Sequence, residues 1–259
     1  MFNMFDAISL EMLLFLVAAG FFAAFVDSIV GGGGLITVPA LLLTGLPTPV
    51  VLGTNKLGGT LSSLTSTVSF LRSGKIDLKL AKVLFPLSFI GAGLGAWTVT
   101  LIPSEFLRPL VVVMLIAVTA YTLLKKNWGK DAVYRGLTKR SGILIGLASF
   151  SIGFYDGFFG PGTGSFLLFA FLMLGFDFVR AAGNAKILNL ASNIASLLTF
   201  FAFGLVNIAY GLPMGIAMIG GAWVGSRFAI RKGSSFVKPL FVSVTALLIG
   251  KQLWDMFVS

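Results

Sequence analysis

The forty residues from 187 to 226 contain no aspartate, glutamate, lysine or arginine. A helix crosses the hydrocarbon core of a bilayer with roughly 20 apolar residues, so this stretch alone predicts two membrane spans. Residues 83–104 and 109–124 are also free of charged side chains. Only 11% of the chain is charged, against about 25% in soluble domains. The sequence therefore predicts an all-α polytopic membrane protein.

Ten apolar segments can be drawn along the chain. They are 8–26, 35–46, 50–71, 80–101, 106–124, 140–156, 163–175, 180–203, 206–227 and 237–257. The second and seventh are too short for an ordinary span. We therefore expect about 8–10 transmembrane segments, including these two short ones. Each of the two short segments follows a glycine-rich stretch.

The basic residues favour one topology. With the N-terminus outside the cell, fifteen of them fall on the inner side, and only Arg108 and Lys251 fall outside. The fifteen are Arg72, Lys75, Lys79, Lys82, Lys125, Lys126, Lys130, Arg135, Lys139, Arg140, Arg180, Arg227, Arg231, Lys232 and Lys238. Because lysine and arginine collect in cytoplasmic loops, the pattern predicts a multi-pass protein of the cell (inner) membrane. Both termini are expected outside, and 127–139 is expected to be a basic cytoplasmic linker.

Two residue types are missing from the chain, which has no cysteine and no histidine. Their absence removes disulfides, thiolate sites, Ser-His-Asp catalysis and most transition-metal sites. We expect no enzyme activity, catalytic residue, cofactor or metal. The net charge of +10 is explained by the cytoplasmic loops, so we expect no nucleic-acid partner. The expected partners are the lipid bilayer and a small substrate.

A glycine-rich motif occurs twice. The stretch "FVDSIVGGGG" matches "FYDGFFGPGT", which places Asp27 over Asp156. A shift of 130 residues along the sequence then aligns Lys56 with Lys186. The repeats are predicted to be an N-terminal membrane repeat, 1–126, and a C-terminal one, 140–259. Each holds five segments, an odd number, so the halves are expected to have inverted orientation, as in secondary transporters.

The glycine-rich stretches mark the expected substrate site. In inverted-repeat transporters, paired short segments interrupted by glycine or proline indicate a site near the midplane. Helices that begin just after the glycines would aim their positive ends at an anion. Gly33, Gly34, Gly162 and Thr163 are therefore candidate substrate-binding residues. A flexible turn serving a short segment is the alternative.

Two lysines fall inside apolar segments. Lys56 shares a helical face with Ser63, and Lys186 shares the corresponding face with Asn189 and Asn193. An ammonium in the membrane is costly unless it meets a polar cavity or partner. We therefore expect both lysines to converge on an anionic substrate, with hydroxyls and amides as further donors. The alternative is that each lysine extends to the interface from a helix end.

Asp27 and Asp156 precede the glycines at the ends of their helices. Each is a candidate proton carrier, since coupled transporters need a titratable group. Each could instead cap the backbone of the turn or serve as counter-ion to a lysine. The sequence leaves these roles open.

Five stretches resemble the TauE/SafE family of membrane transporters, in particular its YfcA-like branch. They are "FVDSIVGGGGLITVPALL", "GTNKLGGTLSS", "GFYDGFFGPGTGSF", "NAKILNLASNIASLL" and "GAWVGSRFAIRKG". The resemblance implies export of a small sulfur-containing anion such as sulfite or an organosulfonate. It also adds Asn55 and Asn184 to the candidate site. Because "TNK" becomes "NAK" in the second half, the two asparagines need not play equivalent roles.

The leading hypothesis is a secondary transporter that exports a small anion, coupled to protons or driven by the membrane potential. An anion channel or uncoupled anion facilitator is the alternative. An intramembrane aspartyl protease is a weaker one, since the two aspartates are explained by the duplication.

Overall fold

The computed structural model describes residues 9–103, 105–106, 113, 134 and 136–232. Within these residues the chain forms eight helices and no β-strand, which confirms the all-helical prediction there. The helices are α1 (Leu10–Val30), α2 (Gly34–Leu42), α3 (Thr48–Arg72), α4 (Leu78–Thr100), α5 (Lys139–Phe158), α6 (Thr163–Met173), α7 (Phe178–Ala202) and α8 (Ile208–Lys232). Most of the predicted segment 106–124, all of 237–257 and most of the linker 127–139 lie outside the described residues.

Polar residues just before three helices fix where those helices begin. The Asp77 carboxylate accepts backbone N–H bonds at 3.0 and 3.1 Å at the start of α4. Asp177 does the same for α7, at 3.0 and 2.9 Å. Thr138 and Ser141 form a capping box at α5. These caps satisfy N–H groups that the first turn of a helix leaves without partners.

Five helices, α1, α4, α5, α7 and α8, are long and apolar enough to cross a membrane, judged over the described residues. Helix α3 is as long as α7, at 25 residues, but it carries many hydroxyl and amide side chains and falls short in hydropathy. Its neighbours are α1, α2, α7 and α8, and its polar residues Asn55, Lys56 and Ser66 are buried. The polar face of helix α3 therefore points into the protein.

The outer surface is apolar where a soluble protein would be charged. Large hydrophobic side chains such as Phe22, Ile90, Leu147, Phe201 and Ile216 are exposed. Serine, threonine, asparagine and lysine side chains are buried in the interior. A large apolar exterior is expected where lipid covers the protein. The chain is a membrane protein by this criterion as well as by its helix lengths.

Two helices are interrupted by glycine-rich turns. Helix α1 ends at Val30, and the nine-residue helix α2 begins four residues later. Helix α5 ends at Phe158, and the eleven-residue α6 begins at Thr163. Neither α2 nor α6 is long enough to span a bilayer. The prediction of two short, glycine-interrupted segments is confirmed.

Close helix pairs are built on glycine. A methyl group placed on Gly225 of α8 would lie 2.3 Å from the Phe25 carbonyl oxygen of α1, and one on Gly95 of α4 would lie 2.0 Å from that of Phe154 in α5. Gly221 and Gly91 make the same contact one turn earlier in each helix. Small residues spaced four apart let membrane helices approach closely. These two contacts fix the positions of the C-terminal ends of α1 and α5 relative to α8 and α4.

Helix directions follow from the same contacts. Helices α1 and α8 run in one direction, since Phe21 and Phe25 meet Gly221 and Gly225 in the same order along the chain. Helix α3 runs with α8, since Gly211 and Gly215 of α8 meet Thr54 and Leu61 of α3 in the same order. Helices α4 and α5 are parallel to each other by the same test.

Helix α7 runs opposite to α3, since Gly53 near the start of α3 meets Leu205 after α7, and Gly183 near the start of α7 meets Lys75 after α3. Helix α4 runs with α7, since Asp77 and Ser88 bond to Asn184 and Leu188 in the same order. Helices α1 and α5 therefore enter the molecule from opposite sides, and their broken ends meet inside it.

Candidate functional site

The two glycine-rich turns pack against each other. Gly31 has φ of 81°, which favours glycine, and a methyl group there would lie 2.3 Å from the Ser165 backbone nitrogen. The Ser165 hydroxyl donates to the Val30 carbonyl oxygen at 3.1 Å. The end of α1 is thus held on the start of α6. This contact brings both breaks to one place in the interior.

Lys56 of α3 forms an ion pair with Asp156 of α5. The distance from Lys56 Nζ to Asp156 Oδ1 is 2.9 Å. The same ammonium also donates to the Asp156 backbone carbonyl oxygen. Lys56 and Asp156 are only 1% and 2% exposed. The lysine therefore does not extend to the interface, and its charge is compensated inside the protein.

Lys186 of α7 forms the second ion pair, with Asp27 of α1. Its Nζ lies 2.6 Å from Asp27 Oδ2, and the lysine is 2% exposed. Asp27 Oδ1 accepts the backbone N–H of Gly33 at 3.1 Å. Asp27 therefore both caps the turn and holds a lysine, two roles that the sequence had left as alternatives.

The two carboxylates differ in how fully they are bonded. Both oxygens of Asp27 have a partner, one a lysine and the other a backbone N–H. Asp156 Oδ2 is buried and has no hydrogen-bond partner among the described residues. A buried carboxylate oxygen without a partner is costly and rare.

The ion pairs border a cavity of about 30 Å³, which has room for about two water molecules. Its lining is made of glycines, polar side chains and one methionine. The lining residues are Asp27, Gly32, Gly33, Gly34, Thr37, Asn55, Lys56, Gly59, Asp156, Gly160, Gly162, Thr163, Gly164, Asn189, Asn193 and Met218. Ten of the thirteen residues predicted from the sequence are in this set.

The glycine turn before α6 connects the two ion pairs. A methyl group on Gly160 would lie 3.0 Å from Lys56 Nζ, and one on Gly164 would lie 3.4 Å from Asp27 Oδ1. Glycine is needed at Gly160 for its φ of 98° as well. The backbone of this turn and the start of α6 therefore lie along the cavity, beside the charged side chains.

Amide side chains close the remaining wall. Asn193 of α7 lies against Gly59 of α3, where a methyl group would be 2.6 Å from Asn193 Oδ1. The Asn193 amide donates to the Asn189 carbonyl oxygen at 2.7 Å. The Thr37 hydroxyl, which also lines the cavity, donates to Asn55 Oδ1 at 2.6 Å. These groups supply uncharged hydrogen-bonding atoms beside the two ion pairs. The charges of the two lysines and the two carboxylates sum to zero.

Three predicted residues lie outside the cavity lining. Lys186 reaches it only through Asp27. The Ser63 hydroxyl donates to the Gly59 and Thr60 carbonyl oxygens of its own helix, at 2.6 and 3.2 Å. The Asn184 side chain accepts the Asp77 backbone N–H at 3.0 Å and donates to the Arg180 carbonyl oxygen. The positions of Ser63 and Asn184 therefore do not support a substrate-binding role, because both side chains are committed to backbone groups elsewhere.

Sequence reasoning did not select Thr37 or Met218, although both line the cavity. Thr37 lies one helical turn after Gly33 in α2, and its Oγ1 is 3.1 Å from the Gly33 carbonyl oxygen. That spacing could have identified it, since residues four apart share a helix face. Met218 carries no comparable pattern in the sequence.

The chain is similar along nearly its whole length to known membrane proteins. The family model described as "Sulfite exporter TauE/SafE" matches residues 16–251. The probable membrane transporter protein ORF9 of Sinorhizobium sp is 41% identical over 249 residues, which cover 96% of this chain and 95% of that protein. The probable membrane transporter protein YfcA of Escherichia coli strain K12 is 38% identical, with 93% and 89% covered.

A third relative, a probable membrane transporter protein of Haemophilus influenzae, is 36% identical over 250 residues, with 96% of this chain and 97% of that protein covered. No solved structure matches the chain significantly.

Proposed function

Because the chain belongs to the sulfite exporter TauE/SafE family, we propose that it is a secondary transporter exporting a small sulfur-containing anion, such as sulfite or an organosulfonate. The observation that carries this proposal is the pair of crossed lysine–aspartate contacts beside a polar cavity. Buried ionisable residues of membrane proteins usually line substrate or ion paths. One lysine, three asparagines and two helix starts line the cavity, and a second lysine lies behind Asp27. This set of donors favours an anion as the substrate.

The proposal includes an inverted repeat with the site between its halves. The support for this repeat is that contacts between the halves occur in pairs. A contact made by two residues is made again by the two residues aligned with them in the repeat. The Asp77 N–H donates to Asn184, while the Asn207 N–H donates to Thr54 at 2.9 Å. Lys56 with Asp156 and Lys186 with Asp27 repeat the pattern. Each half would then hold one wall of a midplane site and move against the other.

Substrate entry would compete with the carboxylates for the lysines. The cavity of about 30 Å³ has room for about two water molecules, so an oxyanion fits only if side chains move apart. Lys56 Nζ is already bound to the carboxylate and carbonyl oxygens of Asp156. An arriving anion therefore takes the place of Asp156 on the lysine, and the carboxylate turns away.

Charge balance couples this exchange to a proton. With both pairs ionised, the cavity carries no net charge, and a monovalent anion would make it negative. A buried uncompensated charge is costly. A proton on the displaced carboxylate restores neutrality, and Asp156 Oδ2 is the unpartnered oxygen that can accept it. The proposal is therefore cotransport of one proton with each monovalent anion, down the gradient of an anion that accumulates in the cell.

Purified protein in proteoliposomes tests the function. Vesicles are loaded in turn with sulfite, thiosulfate, sulfate and sulfoacetate, and efflux is followed with the membrane potential held at zero. We expect saturable efflux of at least one of these anions, faster with an outward proton gradient. Protein-free vesicles and vesicles with Lys56→Met are the controls.

Two outcomes would contradict the proposal. Unsaturable current indicates an anion channel, and saturable flux that responds to potential but not to the proton gradient indicates an uncoupled facilitator. In that second case a cell that is negative inside would drive a monovalent anion outward by about 2.3 kcal/mol per 100 mV.

A further inference from the structure

A second cavity, of about 520 Å³, lies between α3 and α8 and shares no residue with the ion-pair site. Helices α3 and α8 run parallel there, and the cavity extends over their C-terminal turns. Its lining residues are Leu64, Thr65, Val68, Ser69, Arg72, Ser73, Trp223, Arg227, Ile230 and Arg231. We name it the arginine groove.

Three guanidinium groups form one end of the arginine groove. Arg72, Arg227 and Arg231 are all exposed. None of them lies within 4 Å of a carboxylate in the described part of the chain. Among the described residues, no acidic side chain lines the groove. Three like charges held together without a counter-ion in this part of the chain leave a strongly positive opening that suits an anionic group.

The other end of the groove is apolar. Leu64 and Val68 are 46% and 37% exposed on α3, two turns and one turn before Arg72. Trp223 lies one turn before Arg227, whose guanidinium stacks 3.9 Å from the indole centroid. Indole rings of membrane proteins favour the boundary between headgroups and acyl chains. The groove therefore passes from charged to apolar along the direction of the two helices.

We propose that the arginine groove binds an anionic phospholipid. The phosphate would accept hydrogen bonds from the guanidinium groups, which match phosphate oxygens in a two-pronged geometry. One acyl chain would lie along Leu64 and Val68. Basic pockets between membrane helices are sites of this kind for anionic headgroups. A free phosphate would use only the arginines and leave the apolar half of the groove uncovered.

The other half of the sequence provides an internal comparison. The shift of 130 that aligns the repeats places Ala202, Trp97 and Leu101 opposite Arg72, Arg227 and Arg231. Helices α4 and α7, which carry these residues, also pack together, yet neither has a basic residue in its last turn. Packing of this helix pair therefore does not require the arginines. The arginines occur at the C-terminal ends of α3 and α8 and not at the corresponding ends of α7 and α4.

Native mass spectrometry of the full chain in a non-ionic detergent tests the proposal. The protein is titrated with phosphatidylglycerol, with phosphatidylcholine of the same acyl chains, and with inorganic phosphate. We expect phosphatidylglycerol adducts that persist at the highest activation energy. The variant R227Q/R231Q should weaken phosphatidylglycerol binding on the order of tenfold. The matched control is K139Q/R140Q, which removes two exposed cations outside the groove.

Three results would overturn the proposal: equal loss of binding in R227Q/R231Q and the control, equal binding of phosphatidylcholine, or inorganic phosphate competing fully with the lipid at millimolar concentration. If R227Q/R231Q does not yield folded protein, Arg72→Gln at the last residue of α3 replaces it. A several-fold loss is then expected, and an unchanged affinity contradicts the site.

Discussion

Lys56 is paired with Asp156, at 2.9 Å, rather than with the aspartate of its own half, which pairs with Lys186. The lysine of each central helix thus holds the broken helix end of the opposite half. Because the ammonium and carboxylate are buried together, each compensates a charge that the interior could not hold alone. The crossing therefore joins the two halves at the place where a substrate would separate them.

Replacing Lys56 by methionine leaves Asp156 buried without its cation. We expect the free energy of unfolding to fall by about 3–5 kcal/mol, the cost of breaking a buried pair by removing one partner. The double variant K56M/D156N has no buried charge at this pair and should recover most of that stability while remaining inactive. Thermal unfolding in detergent and anion efflux from vesicles measure the two effects.

The control for this pair of variants is Lys82→Met, at an exposed position of α4, which should change neither stability nor efflux appreciably. Normal efflux by K56M/D156N would show that the ion pair is a structural link only.

Replacing Asp156 by asparagine imitates the protonated carboxyl group. If a proton must reach Asp156 before the anion takes its lysine, efflux by the wild-type protein increases as the pH falls. The variant D156N should lose this dependence, with similar efflux at high and low pH. The measurement is a series of efflux rates at fixed anion concentration and zero potential.

Asp27→Asn is the informative comparison for D156N. Asp27 is bonded on both oxygens, to Lys186 and to the Gly33 backbone, so its loss should lower stability more and alter the pH dependence less. A pH profile that changes with D27N and not with D156N would reverse the assignment of the proton carrier.

The sequence predicts the architecture of the site better than its contacts. The helix-face pattern around Lys56 and Lys186 correctly indicates interior positions, because a charged residue in an apolar helix must face a partner or a cavity. It cannot identify the partner, since Lys56 and Asp156 are 100 residues apart. Only the packing of α4 on α5 and of α1 on α8 decides which helix end reaches which lysine.

Ser63 shows a second limit of pattern reasoning. It has the correct spacing from Lys56, yet its hydroxyl bonds to carbonyl oxygens of its own helix. Serine in a helix commonly does this, and no periodicity distinguishes it from a serine that faces a ligand. Asn184 likewise lies near Lys186 in sequence but at the end of the molecule where α7 meets the turn before α4.

Replacing Gly31 by alanine should damage the site through contact as well as through backbone conformation. Gly31 and Gly45 both have positive φ values, 81° and 75°, and Gly31 also has ψ of 179°, in a region that is essentially restricted to glycine. A methyl group on Gly31 would lie 2.3 Å from Ser165, whereas one on Gly45 meets nothing within 4 Å. We expect Gly45→Ala to cost about 1 kcal/mol in unfolding free energy and to keep efflux. Gly31→Ala should cost more and abolish efflux, and equal effects of both would mean that the two turns do not touch.

Two glycines of α4 separate helix packing from helix propensity. A methyl group on Gly95 would lie 2.0 Å from the Phe154 carbonyl oxygen, while one on Gly93 meets nothing within 4 Å. Alanine is favoured over glycine inside a helix by about 1 kcal/mol, so Gly93→Ala should raise the unfolding temperature slightly. Gly95→Ala should lower it, since overpacking costs about 1–3 kcal/mol.

Gly95→Ala should also reduce anion efflux, because it moves α5 away from α4 and so moves Asp156 from Lys56. Efflux and thermal unfolding are measured on both variants and on the wild-type protein in the same vesicles and detergent. The counterpart Gly225→Ala, against Phe25 of α1, should disturb Asp27 in the same way. Unchanged efflux in Gly95→Ala, at a lowered unfolding temperature, would contradict the inference that the α4–α5 contact positions Asp156 for transport.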